Sequence, residues 1–374
     1  MAGGPLNGLK VVEMAGIGPC PLAGQLLADL GAEVVAIGRR GANPLGGAVN
    51  GRGKRALAVD LKHDDGLQVV KGLVARADVL IEGFRPGVME RLGLGPDALL
   101  AANPALVYGR VTGWGQDGPL AQAAGHDINY LSLTGLLNAI GDPDRPPVPP
   151  LNLAADYAGG TMFLIAGVLA ALFERSRSGR GQVVDAAMVD GVGALLGLIH
   201  SFRATGAWTN ERGANLLDGG APFYRCYRTA DGRFVSVGAL EPQFFAALAE
   251  RLGLDGRWLG ERMDRTKWPQ LAAELAAAFA ARTRDEWAAV FEGTDCCVAP
   301  VLDWDEAPRH PHMAARRAFF TADGTTQAAP APRFSRTPAD LPHRCAPGEA
   351  DALLGELGYD AAQIERLREA GAIS

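Results

Sequence analysis

The feature that most constrains the fold is an alternation in the N-terminal part of the chain. Five short apolar runs recur: LKVVEMA, EVVAIG, RALAVDL, ADVLIEG and ALVYGRVTG. Between them lie a glycine loop with the helical pattern CPLAGQLLADLG, a helix across Asp65 to Ala75, and a shorter helix near PGVMERLG. Short apolar strands alternating with helices predict an α/β fold: a large doubly wound, Rossmann-like domain whose parallel sheet is covered on both faces. Ligands of such sheets gather at the carboxyl ends of the strands, where the loops lie.

The pattern then changes. Long helices are predicted over residues 155–176 and 186–204, and YRTADGRFVSVGA reads as a hairpin around Asp231-Gly232. Helices over 242–252, 268–281 and 284–292 and a strand in CVAPVL complete a smaller α+β unit. The stretch 309–348 is weakly periodic and reads as a long connection, and the helix pair DALLGEL and AQIERLREAG closes the chain. The expected organisation is a large α/β domain over 1–200, a linker over 201–225, and a small α+β domain over 226–305. A return linker over 306–348 and C-terminal helices over 349–374, packed on the large domain, follow.

Composition excludes several classes. A net charge of −6 gives no reason to expect nucleic acid or an anionic membrane as partner. Five cysteines without CxxC spacing or a zinc-type cluster point to free thiols in a reducing cytoplasm and to no metal. Glu13 interrupts the first apolar run, so no signal peptide is read there. The longest apolar run, Thr161 to Phe173, is short for a membrane span and ordinary for a buried helix.

The loop AGIGPCP invites comparison with a dinucleotide fingerprint. Gly16 and Gly18 take the first two places, but Pro21 stands where a third glycine belongs. The acid that would bind a ribose hydroxyl after the second strand is missing, and Arg39 and Arg40 stand there. Arginine suits a phosphate, which argues against NAD and for a nucleotide with an extra ribose phosphate. Lys62, Arg85 and Arg91 follow later strands of the same sheet edge, so with Arg39 they can form one anionic-ligand site.

Four residues offer proton chemistry: His126 and Asp127 in AGHDINY, Asp156 in NLAADYAGG, and Glu241 in GALEPQF. Each has an ordinary reading as well. His126 serves as a structural histidine, Asp127 and Asp156 as N-caps, and Glu241 as a helix-start carboxylate before Pro242. Singly, none rises above that role.

Together they match a family. LKVVEMAGIGP, ADVLIEGFRPGVMERLGLG, VTGWGQDGP, AGHDINYLSLTG, PPLNLAADYAGG, GRGQVVDAAMVDG, RATGAW, RGANLLDGGAPFY and GALEPQF occur in order along nearly the whole chain. APRFSRTP and LLGELGYDAAQIERL continue the series to the C-terminus. The sequence resembles the family III CoA-transferase superfamily and, within it, the α-methylacyl-CoA racemases. AGHDINY combined with GALEPQF is the racemase-like pairing.

The resemblance implies roles at matching positions. His126 and Asp156 become the two acid/base groups, and Glu241 orients and polarises His126. The enolate oxygen also needs a donor, and the backbone N–H of Asp127, at the start of a predicted helix, is read as one. Arg39 holds the phosphate or adenine end of CoA. Ile17, Val59, Asp60, Leu61, Lys62, Gly83, Phe84, Arg85 and Arg91 line the rest, and Gly125, Ile128, Asn129 and Tyr130 border the thioester. Cys20 in the glycine loop and Arg40 after Arg39 are local departures that bear on the ligand's fit. CoA is then part of the substrate, with no separate cofactor. The resemblance also implies an interlocked homodimer, with the cleft between the large domain of one chain and the small domain of the other.

Three activities stay open. A racemase inverts C2 of a 2-methylacyl-CoA by removing the α-proton from one face and returning one to the other. A CoA transferase would instead use Asp156 as a nucleophile. A non-catalytic CoA binder would use only the basic residues. For the racemase, an imidazole titrating near roughly 6.5 suits the task, whereas a carboxyl near about 3.9 needs burial to raise it. A helix N-terminus would lower it again.

Overall fold

The computed structural model describes residues 3–14, 16–39, 47–339 and 349–374, so Arg40, Cys345 and part of the expected return linker lie outside the described residues. Contacts divide the chain into two units. One comprises Met1–Thr134, Pro150–Leu195 and Phe320–Ser374, and the other Gly135–Pro149 and Leu196–Phe319.

The first unit holds one parallel sheet of six strands: β1 (Lys10–Met14), β2 (Glu33–Gly38), β3 (Lys54–Ala58), β4 (Val79–Glu82), β5 (Val107–Thr112) and β6 (Val183–Ala187). Their order is β3-β2-β1-β4-β5-β6. The first five are the runs read from the sequence. The order reverses between β1 and β4, which places a switch point at the carboxyl ends of those two strands. Strand β1 is buried on both faces, so Glu13 needs a partner inside. Lys54 supplies it at 2.6 Å and also donates to the Pro21 carbonyl oxygen. Gly24 leaves room for that pair, since a Cβ there would lie 1.8 Å from Glu13 Oε2.

Strand β6 corrects the sequence reading, which ran a helix from residue 186. Val183 and Val184 pair with Tyr108 and Gly109 of β5, and the strand passes into the helix Met188–Leu195 with no turn residue between. The helix Met162–Ser178 lies over β5 and β6 at glycine contacts. A Cβ on Gly109 would lie 2.8 Å from Leu164, and one on Gly167 2.5 Å from Val184. With its preceding π-helical turns this helix spans Leu153–Ser178, long and apolar enough to cross a membrane by length and composition. Leu164, Ile165, Val168 and Ala171 are buried in the unit. The C-terminal helices Glu349–Glu356 and Ala361–Glu369 bury Leu353, Leu354, Ile364 and Leu367 in the core that holds Leu73 and Val74.

The second unit is built on an antiparallel sheet of β7 (Tyr224–Arg228), β8 (Phe234–Gly238) and β9 (Val298–Pro300). The β7–β8 turn is the Asp231-Gly232 hairpin expected from the sequence. Helices pack on this sheet through aromatic rings: Phe279 stacks on Tyr227 at 5.3 Å and meets Trp287 at 5.4 Å. The buried indoles keep acceptors, Trp268 on the Arg262 carbonyl and Trp287 on the Phe279 carbonyl.

The stretch read as a long connection contains a further hairpin where the chain re-enters the first unit, β10 (Phe319–Ala322) and β11 (Thr325–Ala328). Its turn is Asp323-Gly324, with φ of 51° and 73°. That is the Asp-Gly signal used at residue 231, so this hairpin was readable. Arg52 ties it down, donating to both Asp29 carboxylate oxygens and to Gln327 Oε1 and the Ala328 carbonyl.

Candidate active site

The turn Gly125–Tyr130 is held by its own bonds. His126 N–H donates to Asn129 Oδ1, and the N–H groups of Asn129 and Tyr130 donate to the His126 carbonyl. Tyr130 folds back beneath the turn and donates its hydroxyl to the Gly125 carbonyl. Its ring meets Trp114 edge-on at 4.8 Å. The ring fills the space where Gly113 and Gly125 would carry a Cβ, 2.0 Å and 2.7 Å away. Those two glycines are therefore required by packing. His126, above this support, is exposed.

Asp156 lies in the segment Leu153–Thr161, which winds with π-helical hydrogen bonding. It is not the N-cap expected from the sequence. Asn152 occupies that position, and Asp156 sits inside the first turn. The orphan donors of that turn go elsewhere: Asp127 Oδ2 accepts the N–H groups of Ala155 and Asp156, each at 2.8 Å. Asp127 is 5% exposed and also opens the helix Asp127–Thr134.

The Asp156 carboxylate faces the glycine loop. A Cβ on Gly18, whose φ is 79°, would lie 3.2 Å from Asp156 Oδ2. Burial pushes the Asp156 carboxyl above the ordinary carboxylate range, and the neighbouring Asp127 charge pushes the same way. A hydrogen bond from Asn152 and the charge of His126 oppose them. Burial is thus the largest influence on this carboxyl, and the net effect is upward. His126 and Asp156 are close enough for the charge of one to act on the other.

The basic and loop residues fall on one sheet edge because every parallel strand ends there. Ile17 follows β1 and is 67% exposed, and Arg39 follows β2 and is exposed. After β3 come Val59, Asp60, Leu61 and Lys62. Val59 is buried and bridged to Ile373, so its side chain belongs to the core, while Asp60 and Lys62 are exposed. After β4 come Gly83, Phe84 and Arg85, then Arg91, with both arginines exposed. Ile128 and Asn129 are exposed beside His126, and Tyr130 is buried. Cys20 is buried at the start of the helix Pro19–Asp29, with Sγ against the Met14 carbonyl. Glu241 lies in the second unit as the N-cap of the helix Pro242–Leu252, where its charge acts on Arg262 and Cys297.

Sequence reasoning missed the brace under the loop after β4. Glu82, wholly buried, accepts the Phe84 N–H at 2.7 Å and Arg110 Nε at 2.9 Å. Arg110 also donates to both carboxylate oxygens of Glu90. One guanidinium thus holds both ends of the segment Glu82–Glu90, which carries Arg85 and leads into Arg91. The available signal was two opposite charges, Glu82 and Arg110, inside runs otherwise apolar enough to be buried strands.

Known proteins resemble this chain along most of its length. The chain is 50% identical over 335 residues to the alpha-methylacyl-CoA racemase of Mus musculus, covering 89% of this chain and 87% of the relative. It is 44% identical over 366 residues to the alpha-methylacyl-CoA racemase of Homo sapiens, covering 97% and 96%. The crystal structure of a CaiB/BaiF family protein from Brucella suis superposes with a TM-score of 0.80 at 28% identity, covering 95% of this chain and 100% of that one. The model of CoA-transferase family III matches residues 6–351, and the chain belongs to that family.

Proposed function

We propose that this chain interconverts the (R) and (S) forms of 2-methylacyl-CoA thioesters by proton transfer at C2. The observation that carries the reading is the pair His126 and Asp156, brought together by one buried carboxylate. The two relatives cited above, both named racemases, support it.

In one direction the neutral imidazole of His126 takes the α-proton, and the C–H electron pair passes into the thioester to give a planar enolate. Asp156, protonated, delivers a proton to the opposite face. The reverse direction exchanges the roles. The raised affinity of Asp156 for its proton suits a donor. The Asp127 N–H, at a helix start without an intrahelical acceptor, suits the enolate oxygen. A donor of that kind contributes about 3–4 kcal/mol to the transition state. The thioester supplies the acidity, so the chemistry calls for no cofactor, and CoA enters as part of the substrate. Arg39, Lys62, Arg85 and Arg91 would hold its phosphates, with Asp60, Leu61, Gly83 and Phe84 beside them. Binding of this remote tail aligns C2 between the two bases.

We also propose the interlocked homodimer. Leu151, Leu153, Met162 and Phe173 are 62%, 53%, 52% and 67% exposed around the long helix, an apolar surface that a second copy would cover. Glu241 of the partner subunit would then orient His126. The four cysteines among the described residues are free, which suits a reducing cytoplasm.

The test is incubation with (R)-2-methylacyl-CoA in D₂O. Deuterium at C2 with inversion, and no second acceptor, is the expected result. Acyl transfer to an added free acid, with an adduct trapped on Asp156, would establish the transferase instead. Neither outcome would leave a CoA binder. His126→Ala is expected to remove inversion while CoA affinity stays nearly unchanged, and normal turnover by that variant would refute the assignment.

A further inference from the structure

We propose that the Asp127 carboxylate, and not only its backbone N–H, is the positioning group of this site. It locks the His126 turn to the Asp156 segment and sets the charge environment of Asp156. The identity of the two groups it positions rests on the racemase reading above.

The argument is geometric. A carboxylate serving only its own helix would cap the N–H groups of Asn129 and Tyr130. Those N–H groups are taken by the His126 carbonyl. Asp127 Oδ2 reaches instead across 28 and 29 residues of sequence to two successive N–H groups, one of them that of Asp156 itself. Charge-assisted bonds to backbone donors are the stronger and shorter class. His126 adjoins Asp127 covalently, so these two bonds bind the backbones of both proton-transfer residues to one group.

The second oxygen, Oδ1, is buried with no hydrogen-bond partner among the described residues. Half of the carboxylate is therefore uncompensated inside the site, and a neighbouring like charge favours the protonated form of Asp156. The other groups acting on Asp156 are His126 and Asn152. The charges of Asp156, Arg85 and Asp127 in turn act on Tyr130.

Asp127→Ala removes the lock and the charge, whereas Asp127→Asn keeps an acceptor and removes only the charge. In Asp127→Ala the amides of residues 155 and 156 are expected to lose protection in hydrogen exchange. Its kcat should fall about 100-fold, as a displacement of reacting groups by an ångström does, with KM little changed. Asp127→Asn should retain amide protection and more of kcat. Infrared titration, with Asp156→Asn assigning the band, should show the Asp156 carboxyl titrating at lower pH in Asp127→Asn. Unchanged exchange and kcat in Asp127→Ala, or an unmoved Asp156 titration in Asp127→Asn, would overturn the inference. If Asp127→Ala does not fold, the Asn titration decides alone. A wild-type protein that neither inverts nor exchanges C2 would sink the racemase reading, while amide exchange and titration still decide the role of Asp127.

Discussion

In the first unit the carboxyl edge of the sheet is braced by buried charge; in the second unit the helices are held by stacked rings. Glu82, Arg110 and Glu90 fix the loop after β4 through directional bonds. Phe279, Trp287, Phe291 and Tyr227 fill the other core by area and shape. Buried ions contribute little net stability, because desolvation offsets attraction, yet they hold an atom in a stated direction. Rings contribute stability and tolerate small shifts. Both units bury charge, the second in the pair Arg284–Glu306, but only in the first does the buried pair brace the edge that carries most of the proposed substrate contacts.

The sharpest way to break that contrast is a matched pair of substitutions. Arg110→Met strands Glu82 and should cost about 3–5 kcal/mol. Phe279→Ala should cost a similar ~3–5 kcal/mol through a cavity. The two then diverge. Adding Glu82→Gln and Glu90→Gln to Arg110→Met should restore most of the stability while CoA binding stays weak, because the loop has lost its brace. No polar substitution should rescue Phe279→Ala, and its folded fraction should bind CoA normally. Urea midpoints and CoA titrations check both halves. A triple variant that regains tight CoA binding would show that the charges do not aim the loop.

Thr283→Ala tests the second unit at a smaller scale. Thr283 and Glu286 form a reciprocal cap on the helix Arg284–Phe291, and its loss should lower stability by about 1 kcal/mol with no effect on CoA. A change in CoA affinity would mean that this helix reports to the site.

The smallest expected effect carries a sign. The Asp156 carboxyl holds its proton more tightly folded than unfolded. Its contribution to stability is therefore fully present below the unfolded value near ~3.9 and is lost as pH rises through the folded value. Asp156→Asn should then raise the denaturation midpoint at neutral pH, with the gain vanishing in acid, while abolishing turnover. Partial exposure keeps the gain small. A gain independent of pH would separate the stability effect from the proton.

How much was legible follows from the range of the signals. The sequence alone determined the strands β1 to β5, the hairpin at Asp231-Gly232 and the helix Pro242–Leu252, because periodicity, turn chemistry and caps act within a few residues. It also supplied the basic positions, since strand order in a doubly wound sheet brings loop ends to one edge. The hairpin at Asp323-Gly324 was legible in the same way and was passed over. Strand β6 was not, because it runs into its helix without a break and only pairing with β5 distinguishes the two. The tertiary structure decided that Asp127 caps a segment 28 residues away, that Asp156 lies inside a turn rather than at its cap, and that Arg110 joins Glu82 to Glu90. The first and last depend on distances between atoms far apart in the chain, and in charge and burial it is distance that decides which contribution is larger.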